Sequence, residues 1–179
     1  MKDRWTNQLD EITQDFMSAF SGLTTDQLNW KPNPNTWSVG QNVDHLIVIN
    51  STYFPVMEEV RNGSYKLPLV GRLGFMVSFL GKTVLKAVQP DRRKKMKTFP
   101  IWEPAKSDIQ PDLWERFETH QEEVKKMISS SLDLLDKGTV ISSPANSNIV
   151  YKLETAFDII VAHERRHWVQ AREVKELMR

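Results

Sequence analysis

The chain has 179 residues, a formal net charge of +1 and no cysteine. This length fits a single domain, residues 1–179, that can bury a core without covalent staples. The absence of cysteine excludes disulfides, thiolate metal sites and a cysteine nucleophile, and it fits a reducing cytoplasm, where we expect the protein to act. No apolar run reaches the roughly 20 residues that cross a bilayer, so we expect no stable membrane insertion.

The net charge conceals an uneven distribution. Residues 61–110 contain 11 Lys/Arg against 3 Asp/Glu, while the rest of the chain is acidic overall. Such a segment indicates a local surface feature rather than a property of the whole protein. Because no nucleic-acid fold motif accompanies the charge, we expect no nucleic-acid partner.

A first amphipathic helix is predicted from apolar residues at successive spacings of four, three, four and four. These residues are Trp5, Leu9, Ile12, Phe16 and Phe20. Gly22 is a natural stop for this helix. A short helical turn at 24–28 and a connection rich in Pro and Asn at 30–37 follow.

A second helix is predicted to begin at Val39. Ser38 and Gln41 have the spacing of a capping box, in which each side chain bonds the backbone of the other residue. His45 then lies about two turns into the helix, and Asn42 shares its face. Pro55 should kink or end the helix because it removes a backbone donor.

A long connection, residues 61–111, separates the second helix from the third. Its apolar residues predict an amphipathic helix over 72–88, which would cover the bundle, form a homodimer contact or rest on a membrane surface. The basic run at 92–97 is interpreted as a solvated loop, with phospholipid or nucleic acid as alternative partners. The connection would let the second and third helices run parallel, or it would supply a lid.

The third helix is predicted to begin after Asp112 and to end at Lys137 and Gly138. A loop is predicted at 142–148. The fourth helix begins at Lys152 or Leu153 and continues to the C-terminus. The fold class is therefore all-α, a four-helix bundle with an extra amphipathic helix inserted between the second and third helices.

His163 and His167 are the first candidate functional residues. They are four residues apart, so they lie on one face of the fourth helix. That face also carries apolar residues at alternating spacings, which predicts that both imidazoles point inward. A buried imidazole needs a hydrogen-bond partner or a metal ion. The pair is consistent either with two packed core histidines or with two ligands of one transition metal.

Other polar residues have weaker signals. His120 shares the apolar stripe of the third helix, and we interpret it as a core or cavity-lining histidine rather than a ligand. Asn42 and Gln170 either orient ligands or pack as ordinary polar groups. Asp44 and Glu164 adjoin histidines in sequence, and since neighbours on a helix point elsewhere, we expect both on outer faces.

Three motifs give the chain a wider resemblance. Trp30–Pro32 precedes the sequence WSVGQNVDHL at 37–46, and HERRHWVQ follows at 163–170. In order and spacing these resemble the DinB/YfiT-like family of helical-bundle metalloproteins, over nearly the whole chain. The 61–111 segment is longer and more basic than the minimal family pattern.

The resemblance implies a divalent metal ion held by His45, His163 and His167. Three neutral imidazoles suit zinc, nickel, iron(II) or cobalt and leave positions open for water or substrate. The expected function is a metal-dependent enzyme, a thiol-dependent transferase or a hydrolase acting on a small molecule. The nucleophile would be metal-activated water or a low-molecular-weight thiol cosubstrate. The alternative is a non-catalytic binding or stress-response bundle whose metal is structural or absent.

Overall fold

The structure is a computed structural model that describes residues 3–91, 98–105 and 109–178. Over these ranges the chain is mostly α-helical, as predicted, and it has one small sheet. The helices are α1 (Arg4–Phe20), α2 (Thr25–Asn29), α3 (Val39–Ser51), α4 (Tyr53–Asn62), α5 (Gly74–Ala87), α6 (Leu113–Ser129), α7 (Leu132–Asp136) and α8 (Leu153–Glu176). Short 3-10 helices span Leu69–Arg72 and Pro100–Trp102. The basic run at 92–97 lies outside the described residues.

Local sequence signals set the beginnings of several helices. Ser38 and Gln41 form the predicted capping box before α3, and Thr24 forms a second one before α2. Helix α8 begins at Leu153, one of the two predicted starting residues, and Lys152 is its N-cap. At the other end of α4, Gly63 adopts a φ of 76°, a conformation that costs glycine little and other residues more.

Both the second and the third predicted helices are interrupted. The second breaks at Thr52, because Pro55 has no N–H to offer the carbonyl of residue 51. The third breaks at Ser130 and Ser131, whose hydroxyls donate hydrogen bonds to the Met127 carbonyl at 3.0 and 2.7 Å. These hydroxyl donors compete with the backbone N–H groups that would continue the helix.

The loop predicted at 142–148 is wrong, because a β-hairpin occupies this region. Strands β1 (Val140–Ser143) and β2 (Asn146–Lys152) pair antiparallel, with a register shift between Ser142 and Ser143. Ile141, Val150 and Tyr151 are buried. The β-branched residues on both strands favour the extended conformation despite the surrounding Ser and Asn.

Helices α1, α3, α6 and α8 pack around one core. Helices α1 and α3 each contact both α6 and α8. Large residues that are fully buried in this core include Leu9, Ile12, Phe16, Phe20, Leu46, Phe117, Ile128 and Phe157. Burial of each such side chain is worth about 1.5–3 kcal/mol, so this packing dominates the stability of the fold.

Side-chain contacts give the helix directions. Trp5 contacts Asp158 and Glu11 contacts Arg165, so α1 and α8 run parallel. Phe16 packs on Phe117, while Lys125, further along α6, bonds a residue nearer the start of α1, so these two helices are antiparallel. Asn42 contacts His167 and Asn50 contacts Glu164, so α3 and α8 are antiparallel. Helices α3 and α6 therefore run parallel, which the long connection permits.

Helix α5 confirms the predicted amphipathic helix in the long connection. It packs on β2 and α8, and its close approach depends on Gly81. A Cβ at Gly81 would lie 3.1 Å from Tyr151 Cβ and 3.2 Å from Thr155 Cγ2. Within the described ranges, no helix combines the length and apolar character that a membrane span requires.

Candidate metal centre

The capping box at Ser38 and the start of α8 at Leu153 position the site. The box fixes the first turn of α3, and Asn42 and His45 then lie one turn apart inside the protein. On the antiparallel helix α8, His163 and His167 face this part of α3. The contact of the two helices thus brings together the three histidines that the sequence singled out.

The three imidazole rings form one compact cluster. Ring centroids are 5.2 Å apart for His45 and His163, 4.7 Å for His45 and His167, and 4.5 Å for His163 and His167. One nitrogen from each ring lies within 4.8 Å of the others. This group could hold a metal ion.

A backbone carbonyl fixes the tautomer of His45. Its Nδ1 lies 2.5 Å from the Trp102 carbonyl oxygen. Because a carbonyl only accepts, Nδ1 must carry the proton. The lone pair of a neutral His45 is therefore on Nε2.

Asn42 fixes the tautomer of His167 in the same way. The Asn42 side-chain nitrogen donates to the Ser38 carbonyl at 2.8 Å, so its Oδ1 faces His167. That Oδ1 lies 2.8 Å from His167 Nδ1, which must then be the donor. His167 Nε2 is left with its lone pair, as a metal ligand requires. This is the contact through which Asn42 would orient a ligand, and that role stays a prediction beside the alternative of ordinary polar packing.

The Nε2 atoms of His163 and His167 are 3.0 Å apart. Because His167 Nε2 has the lone pair, a hydrogen bond at this distance requires His163 Nε2 to carry the proton and to donate it. To bind an ion through Nε2, His163 would instead carry its proton on Nδ1. With metal–nitrogen bonds of about 2.0–2.1 Å, the same separation corresponds to an angle of roughly 90° at the ion. The pair therefore fits adjacent ligands of one ion without a change in backbone position.

Burial keeps all three imidazoles neutral near pH 7. Desolvation lowers the pKa of His45 to about 4, against opposing contributions from the Trp102 carbonyl and Asp44. Desolvation and the neighbouring histidines lower the pKa values of His163 and His167 well below the ordinary value. Because only a neutral imidazole binds metal, protons do not compete for this site at neutral pH.

Aromatic side chains and the segment 98–105 cover the cluster. The Trp37 ring lies 4.8 Å from His45 and 5.8 Å from His167, measured between centroids. The Trp102 indole N–H donates to Thr52 Oγ1 at 3.2 Å and holds the segment against α3. His45 and His167 are buried beneath these groups, whereas His163 is half-buried. Residues 98–105 are called the lid below.

Asp44 was expected on an outer face, and this expectation is wrong. Its side chain is buried because the lid covers that side of α3. One carboxylate oxygen accepts from the Ala105 backbone N–H at 2.8 Å, and the other accepts from Arg116 at 2.8 Å. Asp44 therefore anchors the lid at the end beyond Trp102.

Glu164 was also expected outside, but it is fully buried. Its carboxylate accepts 2.7 Å hydrogen bonds from the side-chain amides of Asn50 and Gln121. Burial raises its pKa to about 7, although the two amides oppose the shift. The carboxylate thereby joins α3, α6 and α8 next to His163.

His120 and Gln170 do not join the histidine cluster. The His120 ring packs on Phe54, with centroids 5.6 Å apart, and lines a separate cavity of about 440 Å³. This agrees with the interpretation of a cavity-lining histidine. Gln170 is half-buried and has no hydrogen bond to any described residue, so its ligand-orienting role stays a prediction.

Trp102, Asn50 and Gln121 were not predicted to take part. Trp102 acts through its backbone carbonyl, which no sequence pattern marks. Asn50 and Gln121 matter because their side-chain amides donate to the buried Glu164 carboxylate. The sequence signal that could have identified them is an amide side chain at a buried position of an amphipathic helix, where it needs a polar partner.

Comparison with protein families gives a match over most of the chain. Residues 8–171 match the family model described as the DinB superfamily. This range includes all three clustered histidines. Neither the curated proteins nor the solved structures provide a match to the chain.

Proposed function

This chain belongs to the DinB superfamily, and from that premise we propose that it is a metal-dependent enzyme whose divalent ion is held by His45, His163 and His167. We further infer that α1, α3, α6 and α8 form a four-helix bundle around this site. The proposed reaction is transfer to, or hydrolysis of, a small molecule, with a low-molecular-weight thiol as the cosubstrate of a transferase.

The observation that carries the proposal is the convergence of three neutral imidazoles, two of which hold their protons in positions that are compatible with metal binding. Two of the rings have their Nδ1 protons engaged by Trp102 and Asn42. Both rings therefore carry on Nε2 the lone pair that a metal ion binds. An ordinary cluster of core histidines does not require that one nitrogen of each ring lie within 4.8 Å of the others.

The number of donors favours catalysis over a structural role. Structural zinc sites use four protein ligands, whereas catalytic sites use three and leave a position open. A divalent ion supplies Lewis-acid chemistry when it is bound in such a site. The protein would contribute orientation through Asn42 and exclusion of bulk water through Trp37 and the lid.

Metal analysis of purified variants tests the site. Protein prepared without chelators should contain about one equivalent of zinc, nickel, iron or cobalt. His163→Ala combined with His167→Ala should abolish bound metal, and His45→Ala should lower it strongly. His120→Ala is the matched control, because this buried histidine lies outside the cluster, and it should keep its metal. Undiminished metal in the double variant would refute the assignment.

Turnover assays test the reaction class. Wild-type protein should consume a chromogenic electrophile in the presence of small thiols, or hydrolyse an activated ester, and the double histidine variant should do neither. If metal-loaded protein is inactive in both assays and the ion resists exchange, the alternative of a non-catalytic bundle replaces the enzyme proposal.

A further inference from the structure

The outer face of α5 is an apolar surface that no other described part of the chain covers. Phe75 and Phe79, one turn apart, have 70% and 64% of their surface exposed. Leu69 and Leu73, on the approach to the helix, are exposed as well. A large aromatic side chain in water gains nothing from that position, and two adjacent ones mark a contact surface.

Cations share this face. At about 100° per residue, Phe75, Phe79, Lys82 and Lys86 fall within an arc of about 60° on α5. Val77 and Gly81, on the opposite side, are buried against the protein. Because the inner side is held in place, the outer stripe is presented as a fixed surface.

The charge of the region has one sign. Between Glu59 and Asp91 the sequence has five Lys/Arg and no Asp or Glu. Among the described residues, Arg72, Lys82 and Lys86 have no ion-pair partner. A second copy of the chain would bring these cations against one another, which disfavours self-association through this face.

We propose that the outer face of α5 docks on an anionic phospholipid surface. The two Phe rings enter the boundary between headgroups and acyl chains, while the cations contact acidic headgroups. Aromatic residues and Lys/Arg on one helix are the combination that interfacial helices use. The contact is peripheral and independent of the proposed metal chemistry.

Vesicle co-sedimentation with the full chain tests this proposal. Wild-type protein should bind vesicles with about 30% phosphatidylserine at low salt, and it should bind much less to pure phosphatidylcholine or at high salt. Phe75→Ser combined with Phe79→Ser should weaken binding at least about tenfold. Lys82→Glu combined with Lys86→Glu should weaken binding to the acidic vesicles while the aromatic rings remain.

Leu177→Ser is the matched control. Leu177 is an exposed apolar residue, 58% accessible, near the end of the chain, and its substitution should leave vesicle binding unchanged. Circular dichroism should show that all variants are folded.

Failure of wild-type protein to bind acidic vesicles, or equal binding by the Phe variant, would overturn the proposal. Dissociation of a wild-type dimer by the Phe substitutions, without vesicle binding, would instead identify a protein contact and also overturn it.

Discussion

The Asn42 side-chain oxygen accepts a hydrogen bond from His167 Nδ1 at 2.8 Å and thereby determines which nitrogen of His167 faces the cluster. The bond can be removed without changing any proposed ligand. Asn42→Leu should weaken metal affinity by about 10–100-fold, the usual effect when a group that orients a metal ligand is lost. Competition with a chromogenic chelator measures this change.

Asn29→Leu is the control for Asn42→Leu. Asn29 bonds the backbone of Ile109 through both its side-chain oxygen and its nitrogen, away from the histidines. Its loss should lower stability and leave metal affinity unchanged. Equal affinities of the Asn42 variant and the wild type would show that Asn42 is ordinary packing.

Glu164 should make stability depend on pH. Its folded pKa, about 7, lies above the unfolded value of 4.5, so the folded state binds the proton more tightly. The resulting stabilisation is complete below about pH 4.5 and is lost as pH rises through 7, by up to about 3 kcal/mol. The side chain of Glu164→Gln does not ionise, so the variant should not lose this stability. Urea unfolding of metal-free protein should show its free energy of unfolding rising relative to that of the wild type between about pH 5 and 9.

Glu164→Leu separates the charge from the hydrogen bonds. It leaves the Asn50 and Gln121 amides without their acceptor, at a cost of about 1–3 kcal/mol for each unpaired group, independent of pH. A Gln variant that tracks the wild type at every pH would contradict the assignment of this titration to Glu164.

The burial of Glu164 shows that the inward face of α8 differs from the face that the sequence pattern predicts. The buried stripe of α8 is Leu153, Phe157, Ile160, Glu164, His167, Ala171 and Val174, at alternating spacings of four and three. The predicted stripe passes through His163 instead, one position away from Glu164. A carboxylate on an apolar stripe conflicts with the general rule that charges face water, so the spacing alone favours His163.

Other features show where sequence reasoning succeeds and fails. Local signals such as the Ser38 capping box and the spacing of His163 and His167 depend on a few neighbouring residues, and they were predicted. The carbonyl of Trp102 reaches His45 from 57 residues away. The burial of Asp44 likewise depends on where the lid lies. Such contacts follow from the path of a long connection, which local periodicity does not specify.

Protonation of His120 should destabilise the folded protein in acid. Burial lowers its pKa to about 4, below the unfolded value of 6.5, so the folded state binds a proton less readily. The stability is fully present above about pH 6.5 and is lost as pH falls toward 4, by up to about 3 kcal/mol. His120→Gln should remove this part of the acid sensitivity in metal-free protein.

Glu123→Gln is the informative companion to the His120 variant. The Glu123 carboxylate lies 3.7 Å from His120 Nδ1 and favours the imidazolium. Glu123→Gln should make the free energy of unfolding fall more steeply as the pH is lowered. His120→Gln should make the same fall shallower. If both variants unfold in acid like the wild type, His120 is not the titrating group.

Gly81 should determine how closely α5 packs. Gly81→Ala places a methyl group 3.1–3.2 Å from Tyr151 and Thr155, which should cost about 1–3 kcal/mol by overpacking. Gly74→Ala lies in the same helix with nothing within 4 Å of the new methyl group, so it should be neutral or slightly stabilising. Thermal unfolding of the two variants measures the difference. Equal melting temperatures would indicate that α5 moves without cost.

Asp44 should determine how long the lid stays closed over the proposed metal. Its two carboxylate oxygens hold the Ala105 N–H and Arg116. The bond to the backbone is the stronger anchor, because Arg116 is partly in water and its ion pair is screened. Asp44→Leu removes both contacts and leaves the Ala105 donor unpaired, which should favour lid opening by about 1.5–3 kcal/mol. Metal release to excess chelator should then accelerate roughly 10–100-fold.

Arg116→Gln keeps the Asp44–Ala105 bond, so its release rate should stay close to that of the wild type. Equal release from the Asp44 and Arg116 variants would mean that the ion escapes without movement of residues 98–105.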